Sequence, residues 1–346
     1  MSKKKIKSYQ TNDSKTKYNF RRTGVYIRKG ILGEGTFGKV ILVEREYHRD
    51  KDGSKRFAIK ISKRFKRLSN ADSASLMNEN KKPKELNFIE IRELVIMRKI
   101  RHKNVVNLLD FNFCREDREI WILMDYLSSD LGKFFSANKD NPSIMNERFL
   151  KNISHQILEG VNYLHENSII HRDLKLENIL YDEQNNVAKI GDFGLSRQYD
   201  YDISTQYTDV GTYPYKPPEL LLGLTHYSTE FDIWSLGCIF VEICTGAPLF
   251  PENDSLGVLK IMFKIFGSFN DDLLPGFQNF PMSHLIKSLP PTKSIGLVNY
   301  IKEHKKFEFE NDYFFDLIEK MLQIDPTKRI SAKDCLEHPW FKSSKN

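Results

Sequence analysis

One short stretch of the chain places a carboxylate, an amine and an amide close together. Residues 171–178 have the sequence HRDLKLEN, and a DFG triplet begins at Asp192. Phosphoryl transfer needs a carboxylate that orients the attacking hydroxyl, oxygen ligands for Mg²⁺ and a cation that neutralises developing charge. The stretch therefore predicts a phosphotransfer site, with Asp173 and Lys175 at the reacting hydroxyl and with Asn178 and Asp192 as the metal ligands.

The two halves of this site are predicted to be joined by a hairpin. Apolar runs at 179–181 and 187–190 flank the turn-rich sequence DEQNN at 182–186. Such runs, separated by turn residues, are typical of two strands with a short connection. The sequence therefore predicts a loop, a hairpin and then Asp192 at the exit of the second strand.

A glycine-rich segment near the start of the chain has the spacing of a phosphate-binding loop. Residues 33–40 are GEGTFGKV, and a G-x-G-x-x-G pattern alone could equally open a dinucleotide site. Here it lies between two strand-like runs and no helix follows, which favours a hairpin whose glycine backbone approaches phosphates closely. Lys60 ends the next strand-like run. It is either an edge-strand Lys with a solvated end or, as the glycine loop favours, the ligand of the α- and β-phosphates.

A helix after Pro83 is predicted to supply the partner of Lys60. Pro suits the first turn of a helix. Apolar residues and one carboxylate recur there at helical spacing, namely Leu86, Ile89, Glu93, Met97 and Ile100. Because a carboxylate on a buried face needs a partner, Glu93 is predicted to pair with Lys60. Glu85 and Glu90 are rivals for this role.

With these motifs in register, the chain resembles the eukaryotic protein kinases from about Tyr26 to Phe341, and most of all the group of cyclin-dependent and MAP kinases (CMGC). The sequence ELLLG at 219–223 and the long segment 267–311 carry the resemblance to that group. The resemblance implies an α+β, bilobal fold with a small antiparallel-sheet lobe that contains one helix and a larger, mainly helical lobe. The expected organisation is a basic disordered tail (1–23) and a kinase domain (24–341) that consists of an N-lobe (24–124), a hinge (125–127) and a C-lobe (128–341).

The activity implied by the resemblance is transfer of the γ-phosphoryl group of MgATP to Ser or Thr hydroxyls of protein substrates. The Ser/Thr class follows from Lys175, because the family's Tyr enzymes usually have Ala-Arg-type residues in its place. The alternative is a catalytically inactive nucleotide-binding scaffold. That alternative predicts the loss of at least one of Lys60, Asp173, Asn178 and Asp192, and all four are present.

The resemblance also assigns the residues that contact ATP. The hinge backbone bonds the adenine, Met124 borders the adenine pocket as gatekeeper and Asp130 contacts the ribose; each has an alternative role in the core or the linker. The residues expected at the nucleotide are Gly33, Glu34, Gly35, Gly38, Val40, Ala58, Lys60, Met124, Asp125, Leu127, Asp130 and Leu180.

Two carboxylates are expected, by the same resemblance, to support the site without taking part in the chemistry. Glu219 is expected in a buried pair with Arg329. Asp232 is expected to hold the backbone of the catalytic loop and opens an apolar helix that runs through Ile243.

Three arginines are expected to bind a phosphate in the segment after the DFG triplet. By resemblance to the cyclin-dependent kinases, Arg92, Arg172 and Arg197 converge on one phosphothreonine, and guanidinium groups brought together need an anion. The candidate phosphorylation sites are Thr205, Tyr207 and Thr208, with Tyr207 in the register of the usual Thr. The alternative is permanent neutralisation by Asp200, Asp202 or Asp209.

Departures from the group's pattern bear on partners and control. Phe37 stands where many cyclin-dependent kinases have an inhibitory Tyr, although Thr36 beside it remains a candidate regulatory residue. Residues 87–93 replace the usual cyclin-recognition sequence, which counts against a cyclin-like regulatory subunit on this helix. Gly211 and Lys216 replace residues that shape a pocket for Pro after the phosphorylated residue, which counts against proline direction.

The positive charge of the chain is concentrated at its start. The net charge is +7, and residues 1–23 carry eight Lys or Arg against one Asp, so residues 24–346 are neutral overall. This distribution predicts a disordered basic arm and argues against nucleic acid as a partner, while nuclear import or an acidic partner stays open. The sequence lacks an 18-residue apolar run, an apolar signal core and metal-type Cys spacing. We therefore expect a monomeric kinase domain in the cytoplasm or nucleus, with no membrane partner.

Overall fold

The computed structural model describes residues 16–35, 38–46, 56–62, 88–114, 119–199, 210–226, 228–287 and 289–342. The chain divides into two compact units. The first unit comprises Met1–Leu94 and Asn107–Tyr126, and the second comprises Val95–Val106 and Leu127–Asn346. The basic, aperiodic sequence at 61–84 predicts a loop, and most of that segment lies outside the described residues.

The first unit is built on one antiparallel sheet of six strands. The strands are β1 (Lys17–Phe20), β2 (Gly24–Gly35), β3 (Gly38–Arg45), β4 (Arg56–Ser62), β5 (Leu108–Cys114) and β6 (Glu119–Asp125). They lie in the order β1-β2-β3-β4-β6-β5, and each neighbouring pair is antiparallel. Helix α1 (Phe88–Lys99) begins in this unit.

One face of this sheet forms the hydrophobic core of the first unit. Ile41 and Val43 of β3 and Ile59 and Ile61 of β4 are all at most 2% exposed, and Ile41 lies opposite Ile59 in the strand register. Successive side chains of a strand point to opposite faces. The even-numbered residues of β3 and β4, Lys60 among them, therefore lie on the other face.

The expectation of a disordered tail through residue 23 is wrong for β1. Tyr18 pairs with Tyr26 and Phe20 pairs with Gly24 of β2, and both β1 side chains join the core, where their rings pack against Trp121. The reason is local: two buried aromatic residues alternate with polar ones, which is a strand pattern. The basic charge summed over the whole segment obscured that pattern.

The turn after β1 is held by a buried carboxylate. One oxygen of Asp110, on β5, accepts hydrogen bonds from the backbone N–H groups of Arg22 and Thr23 and from the Thr23 hydroxyl, each at 3.1 Å. Asn112 on the same strand donates to the carbonyl of Asn19 at 2.9 Å. These long-range bonds satisfy the backbone of the turn and hold β1 in place.

The second unit is mainly helical. Its helices are α2 (Leu131–Asn138), α3 (Glu147–Glu166), α4 (Pro218–Leu221), α5 (Glu230–Thr245), α6 (Ser255–Phe266), α7 (Ser283–Lys287), α8 (Leu297–His304), α9 (Tyr313–Met321), α10 (Ala332–Leu336) and α11 (Pro339–Lys342). Its short strands are β7 (Ser129–Asp130), β8 (Ile169–Ile170), β9 (Ile179–Asp182), β10 (Val187–Ile190) and β11 (Arg197–Gln198). Strands β9 and β10 form the hairpin that the sequence predicts.

The long segment 267–311 contains two short helices, α7 and α8, that the sequence does not predict. They have only five and eight residues, so each offers too few turns for the apolar spacing to stand out among the prolines and lysines. No helix within the described ranges is long and apolar enough to cross a bilayer.

Candidate active site

The carboxylate of Asp173 is held by three side chains of the second unit. The Thr212 hydroxyl donates to Oδ1 at 2.7 Å, and the Asn178 amide donates to Oδ2 at 2.9 Å. The Lys175 ammonium lies 3.1 Å from Oδ2 and donates to Thr212 Oγ1 at 3.1 Å. A carboxylate offers about four lone-pair positions, so these contacts fix its orientation and leave it capacity to accept a further proton donor.

Thr212 is a site residue that the sequence interpretation missed. It lies just before the turn Tyr213–Tyr215, far along the chain from Asp173. A single Thr before a Pro-containing turn carries no periodicity and no charge, so the sequence offers no signal for it. The fold brings its hydroxyl to Asp173, where it bridges the carboxylate and the Lys175 ammonium.

The backbone that carries Asp173 is held by Asp232, at the first turn of α5. Asp232 is completely buried, and its two oxygens accept the backbone N–H groups of His171 and Arg172 at 2.8 and 2.9 Å. His165 Nε2 lies 2.9 Å from Oδ2. Burial, the largest influence, raises the pKa of Asp232, but the hydrogen bond from His165 and the charges of nearby histidines outweigh it, so that the pKa lies below its usual value.

Asp232 also stabilises an uncommon backbone conformation. Arg172 has a φ of 68°, in the left-handed region that costs a non-Gly residue of order 1–3 kcal/mol. The hydrogen bond from the Arg172 N–H to Asp232 and the bond from Arg172 Nε to the Leu195 carbonyl at 2.7 Å offset that cost. Such strain aims the following residue, which is Asp173.

Asn178 and Asp192 offer the oxygen ligands that Mg²⁺ prefers. The Asn178 amide nitrogen donates to the carbonyl and to a carboxylate oxygen of Asp173, at 2.7 and 2.9 Å. These two bonds fix the orientation of the Asn178 side-chain amide. Its nitrogen faces Asp173, and its oxygen is directed away from it. Asp192 follows β10 with a φ of 59°, just after Gly191, whose N–H bonds the Asn178 carbonyl at 2.8 Å. The donor set therefore fits Mg²⁺ with the remaining ligands from phosphate and water.

Lys60 and Glu93 form a close ion pair within the first unit. Lys60 Nζ donates to both carboxylate oxygens of Glu93, at 2.7 and 2.9 Å. The side chains are only 12% and 3% exposed, so this pair is much less screened by solvent than a surface pair. The geometry pairs Lys60 with Glu93 rather than with Glu90.

Several residues predicted at the nucleotide share the face of the sheet that carries Lys60. Val40 of β3 lies opposite Lys60 of β4, and Ala58 of β4 lies opposite Met124 of β6. Because side chains alternate along a strand, these four residues point to the side opposite the core of the first unit. This face of the sheet therefore carries the apolar side chains of Val40, Ala58 and Met124 beside the Lys60 ammonium.

The glycine segment forms the predicted hairpin, with Gly33 opposite Val40, Glu34 opposite Lys39 and Gly35 opposite Gly38. Gly38 has a φ of 143°, and a Cβ atom there would lie 2.0 Å from the Ile61 carbonyl oxygen. A side chain at this position would therefore displace β4, so the close approach requires glycine. The candidate regulatory residue Thr36 lies outside the described residues.

The residues predicted to contact the adenine and the ribose have other contacts of their own. Asp125 Oδ2 accepts from the backbone and the side-chain amide of Asn107, at 3.2 and 2.9 Å. Asp130 is the N-cap of α2: it accepts the Lys133 N–H at 2.8 Å and pairs with the Lys133 ammonium at 2.8 Å. Leu127 is the first residue of the longer of the two segments that form the second unit. Leu180 lies on β9, opposite Asp130 in the register.

Two of the three predicted phosphate-binding arginines lie in the second unit. Arg197 is on β11, opposite Ile170 of β8, and Arg172 follows β8 and is 2% exposed. Arg92 is on α1 and belongs to the first unit. The predicted phosphorylation sites Thr205, Tyr207 and Thr208 lie outside the described residues.

Glu219 and Arg329 form the predicted buried pair. The two guanidinium nitrogens of Arg329 each donate to one oxygen of Glu219 at 2.6 Å, and the side chains are 0% and 2% exposed. The guanidinium also lies over the ring of Trp234, 5.0 Å from its centroid. This pair joins α4, which follows the segment of Thr212, to the chain just before α10.

Comparison with known families agrees with this geometry. The family described as "Protein kinase domain" matches residues 26–341. The chain belongs to this family. The α+β, bilobal fold expected from the sequence is thereby confirmed, with the antiparallel sheet and the helical unit as its two lobes.

Curated relatives and a solved structure place this kinase near the cyclin-dependent kinases. It is 34% identical to cyclin-dependent kinase B2-1 of Oryza sativa subsp. japonica over 325 aligned residues. This alignment covers 93% of this chain and 91% of the relative. It is 33% identical to probable cyclin-dependent kinase 10 of Dictyostelium discoideum, over 90% of this chain and 77% of the relative. A chain of the CAK complex from Chaetomium thermophilum, bound to ATP-gamma-S, superposes with a TM-score of 0.77 at 28% identity, covering 93% of this chain and 92% of that chain.

The activity of this kinase is therefore ATP-dependent phosphorylation of Ser and Thr in proteins. Nothing in the comparisons favours the alternative of an inactive scaffold. All four residues whose loss that alternative predicts are present, and Lys60, Asp173 and Asn178 are held in hydrogen-bonded positions.

Proposed function

We propose that the kinase transfers the γ-phosphoryl group with Asp173 as the residue that orients the acceptor hydroxyl and accepts its proton. One observation carries the proposal: Thr212, Lys175 and Asn178 all bind the Asp173 carboxylate. A carboxylate held in this way meets the acceptor hydroxyl with no loss of rotamer freedom during the reaction. The Lys175 ammonium beside it counters the negative charge that develops on the phosphoryl oxygens.

The remaining predicted residues bind the nucleotide and the metal in this proposal. Lys60, held by Glu93, binds the α- and β-phosphates, because its ammonium lies on the sheet face that also carries Val40 and Ala58. The glycine hairpin offers backbone N–H groups to the phosphates. Asn178 and Asp192 hold Mg²⁺, which would supply charge neutralisation at the phosphates when bound.

A cyclin-like subunit is the proposed regulatory partner, and α1 its proposed docking element. The relatives' names describe cyclin-dependent kinases, and α1 leaves Ile91 and Val95 exposed by 38% and 47%. The two residues are four apart, so they lie on one face of the helix. An apolar pair of this kind on a helix suits an apolar partner surface. The departure at 87–93 then implies a cyclin whose contacts differ from those of the usual sequence.

A peptide array tests the activity and the partner together. The full chain, with radiolabelled ATP and Mg²⁺, is expected to phosphorylate Ser and Thr peptides, and co-expressed cyclins are tested for stimulation. Ile91→Arg is expected to weaken binding of the stimulating cyclin by about 30-fold, the loss of roughly 2 kcal/mol of interface contact. The matched control is Ile31→Arg, which changes an equally apolar exposed residue on β2. Equal losses in both variants would contradict docking on α1, and Tyr-only labelling would contradict the Ser/Thr class.

Activity is proposed to be switched by phosphorylation of Thr208 or Thr205, ahead of Tyr207. A phosphate adds roughly −2 charge at neutral pH. Arg172 is buried, and Arg197 pairs in the strand register with Ile170, two residues before Arg172. An anion that reaches both arginines would be bound by charge-assisted bonds.

Phosphatase treatment followed by mass spectrometry and an activity assay tests this switch. Removal of phosphate from residues 193–219 is expected to lower kcat by about tenfold or more, as expected when an ordered segment is released. The control is the Thr205→Ala, Thr208→Ala variant, whose activity phosphatase should not change. A fully active enzyme without phosphate in this segment would instead support neutralisation by Asp200, Asp202 or Asp209.

A further inference from the structure

A second buried carboxylate lies beside the Lys60–Glu93 pair. Glu90, in the first turn of α1, is 4% exposed. Its Oε2 atom is buried and has no hydrogen-bond partner among the residues that the structure describes. Glu93 differs sharply, because both of its oxygens accept from Lys60. The phosphoryl transfer proposed for Asp173, Lys175 and Lys60 does not use Glu90.

Glu90 is close enough to the pair to interact with it. It precedes Glu93 by three residues, so their Cβ atoms are about 5–6 Å apart on one face of the helix. Burial, the largest influence, raises the pKa of Glu90, and the negative charge of Glu93 raises it further. Its own backbone N–H and the Lys60 ammonium act in the opposite direction. Within the described part of the chain, Glu93 on α1 and Lys60 on β4 are therefore the charged groups that act on Glu90.

Stability of the fold does not explain this carboxylate. A buried polar atom without a partner costs about 1–3 kcal/mol. A negative charge in the first turn of a helix recovers typically 0.3–1 kcal/mol from the helix dipole. An apolar side chain of similar size would avoid the larger cost at this buried position. A function that uses the free oxygen of Glu90 would account for its presence.

We propose that Glu90 is a positioning residue for the phosphoryl transfer: it is a second acceptor for the Lys60 ammonium, alternative to Glu93. Three residues along an α-helix correspond to about 4.5 Å of rise and 60° of rotation. If α1 moved by this rise and rotation or less, the Lys60 ammonium would exchange its hydrogen bonds to Glu93 for hydrogen bonds to Glu90. The buried ammonium thus keeps an anionic partner while the helix moves, and this inference rests on the role proposed for Lys60.

Activity measurements in two backgrounds test the proposal. Glu90→Gln is made in the wild-type chain and in the Glu93→Gln chain, and kcat and KM for ATP are measured, with Lys60→Met as the floor. The loss caused by Glu90→Gln is expected to be about tenfold larger when Glu93 is absent, within the range of coupled neighbours. Glu93→Gln alone is expected to stay well above the Lys60→Met floor. The matched control is Glu44→Gln, which removes a carboxylate paired with surface cations and should cost the same in both backgrounds.

The pH profile separates a positioning role from a purely structural one. Glu90 must be ionised to hold Lys60, so the residual kcat/KM of Glu93→Gln is expected to fall as the pH decreases through the pKa of Glu90. The chain that also carries Glu90→Gln is expected to lack this acid limb. A residue that only stabilises α1 would change the melting temperature in both backgrounds without creating such a limb.

Equal losses from Glu90→Gln in both backgrounds would overturn the proposal, as would a Glu93→Gln activity no higher than that of Lys60→Met. If Glu93→Gln does not fold, Glu93→Asp replaces it, because the shorter side chain withdraws from Lys60 and keeps the charge. Failure of the proposed function would appear separately, as a wild-type chain whose rate is unaffected by Lys60→Met.

Discussion

Replacement of Asp173 by Asn is expected to lower kcat by about 10²- to 10⁴-fold, the usual effect of losing a general base. The affinity for ATP is expected to remain nearly unchanged. The physical reason is that Asn can still accept the Thr212 hydroxyl, which now contacts Oδ1 at 2.7 Å, but it cannot take the proton of the acceptor hydroxyl. The Thr212 contact survives, the amide nitrogen of Asn replaces the oxygen that accepts from Asn178 and Lys175, and the proton acceptor is lost.

Turnover at saturating MgATP and nucleotide binding by calorimetry measure this effect. Asp182→Asn is the matched control, because it removes the same charge from the end of β9, where the side chain only orders the hairpin turn. The control should keep nearly full activity. A retained turnover of more than about a third in Asp173→Asn would show that the assignment of Asp173 as the base is wrong.

The sequence predicts the parts of this site that are contiguous along the chain. Residues 171–178 carry Asp173, Lys175 and Asn178 within one loop, so their types and spacing are enough to state their roles. Thr212 is different, because only tertiary folding brings its hydroxyl to Asp173. The contact between Thr212 and Asp173 depends on the loop whose backbone Asp232 holds. No pattern in a single sequence indicates a contact of this kind.

Some segments carry two sequence signals that indicate different structures. The basic charge of residues 1–23 indicates a disordered arm, whereas Tyr18 and Phe20 alternate with polar residues as in a strand and are buried in the sheet core. Asp130 illustrates a second limit: the same carboxylate suits a ribose hydroxyl and a helix N-cap. In the structure it caps α2 and pairs with Lys133, and its contact with the ribose stays a prediction. Side-chain type alone does not rank two hydrogen-bonding roles of similar strength.

The pair between Glu219 and Arg329 carries the largest expected effect on stability. Every N–H donor of the guanidinium group has a hydrogen-bond acceptor. Besides the two bonds to Glu219, Arg329 donates to the carbonyls of Gln323, Glu230 and Ile324, at 2.8 to 3.2 Å. A buried ion pair with complete hydrogen bonding is costly to break, because the partner left behind is a buried charge without compensation. The cost arises from that remaining charge more than from the lost attraction.

Arg329→Met is therefore expected to lower the free energy of unfolding by about 3–5 kcal/mol, measured by urea denaturation of the full chain. Adding Glu219→Gln removes the remaining buried charge and is expected to recover part of this loss. The control is Lys342→Met, which breaks a pair with Glu337 whose side chains are 61% and 70% exposed; its effect on the free energy of unfolding is expected to be far smaller, because solvent screens the pair. Equal losses in Arg329→Met and Lys342→Met, or a double variant less stable than Arg329→Met, would show that the buried charge is not the origin of the effect.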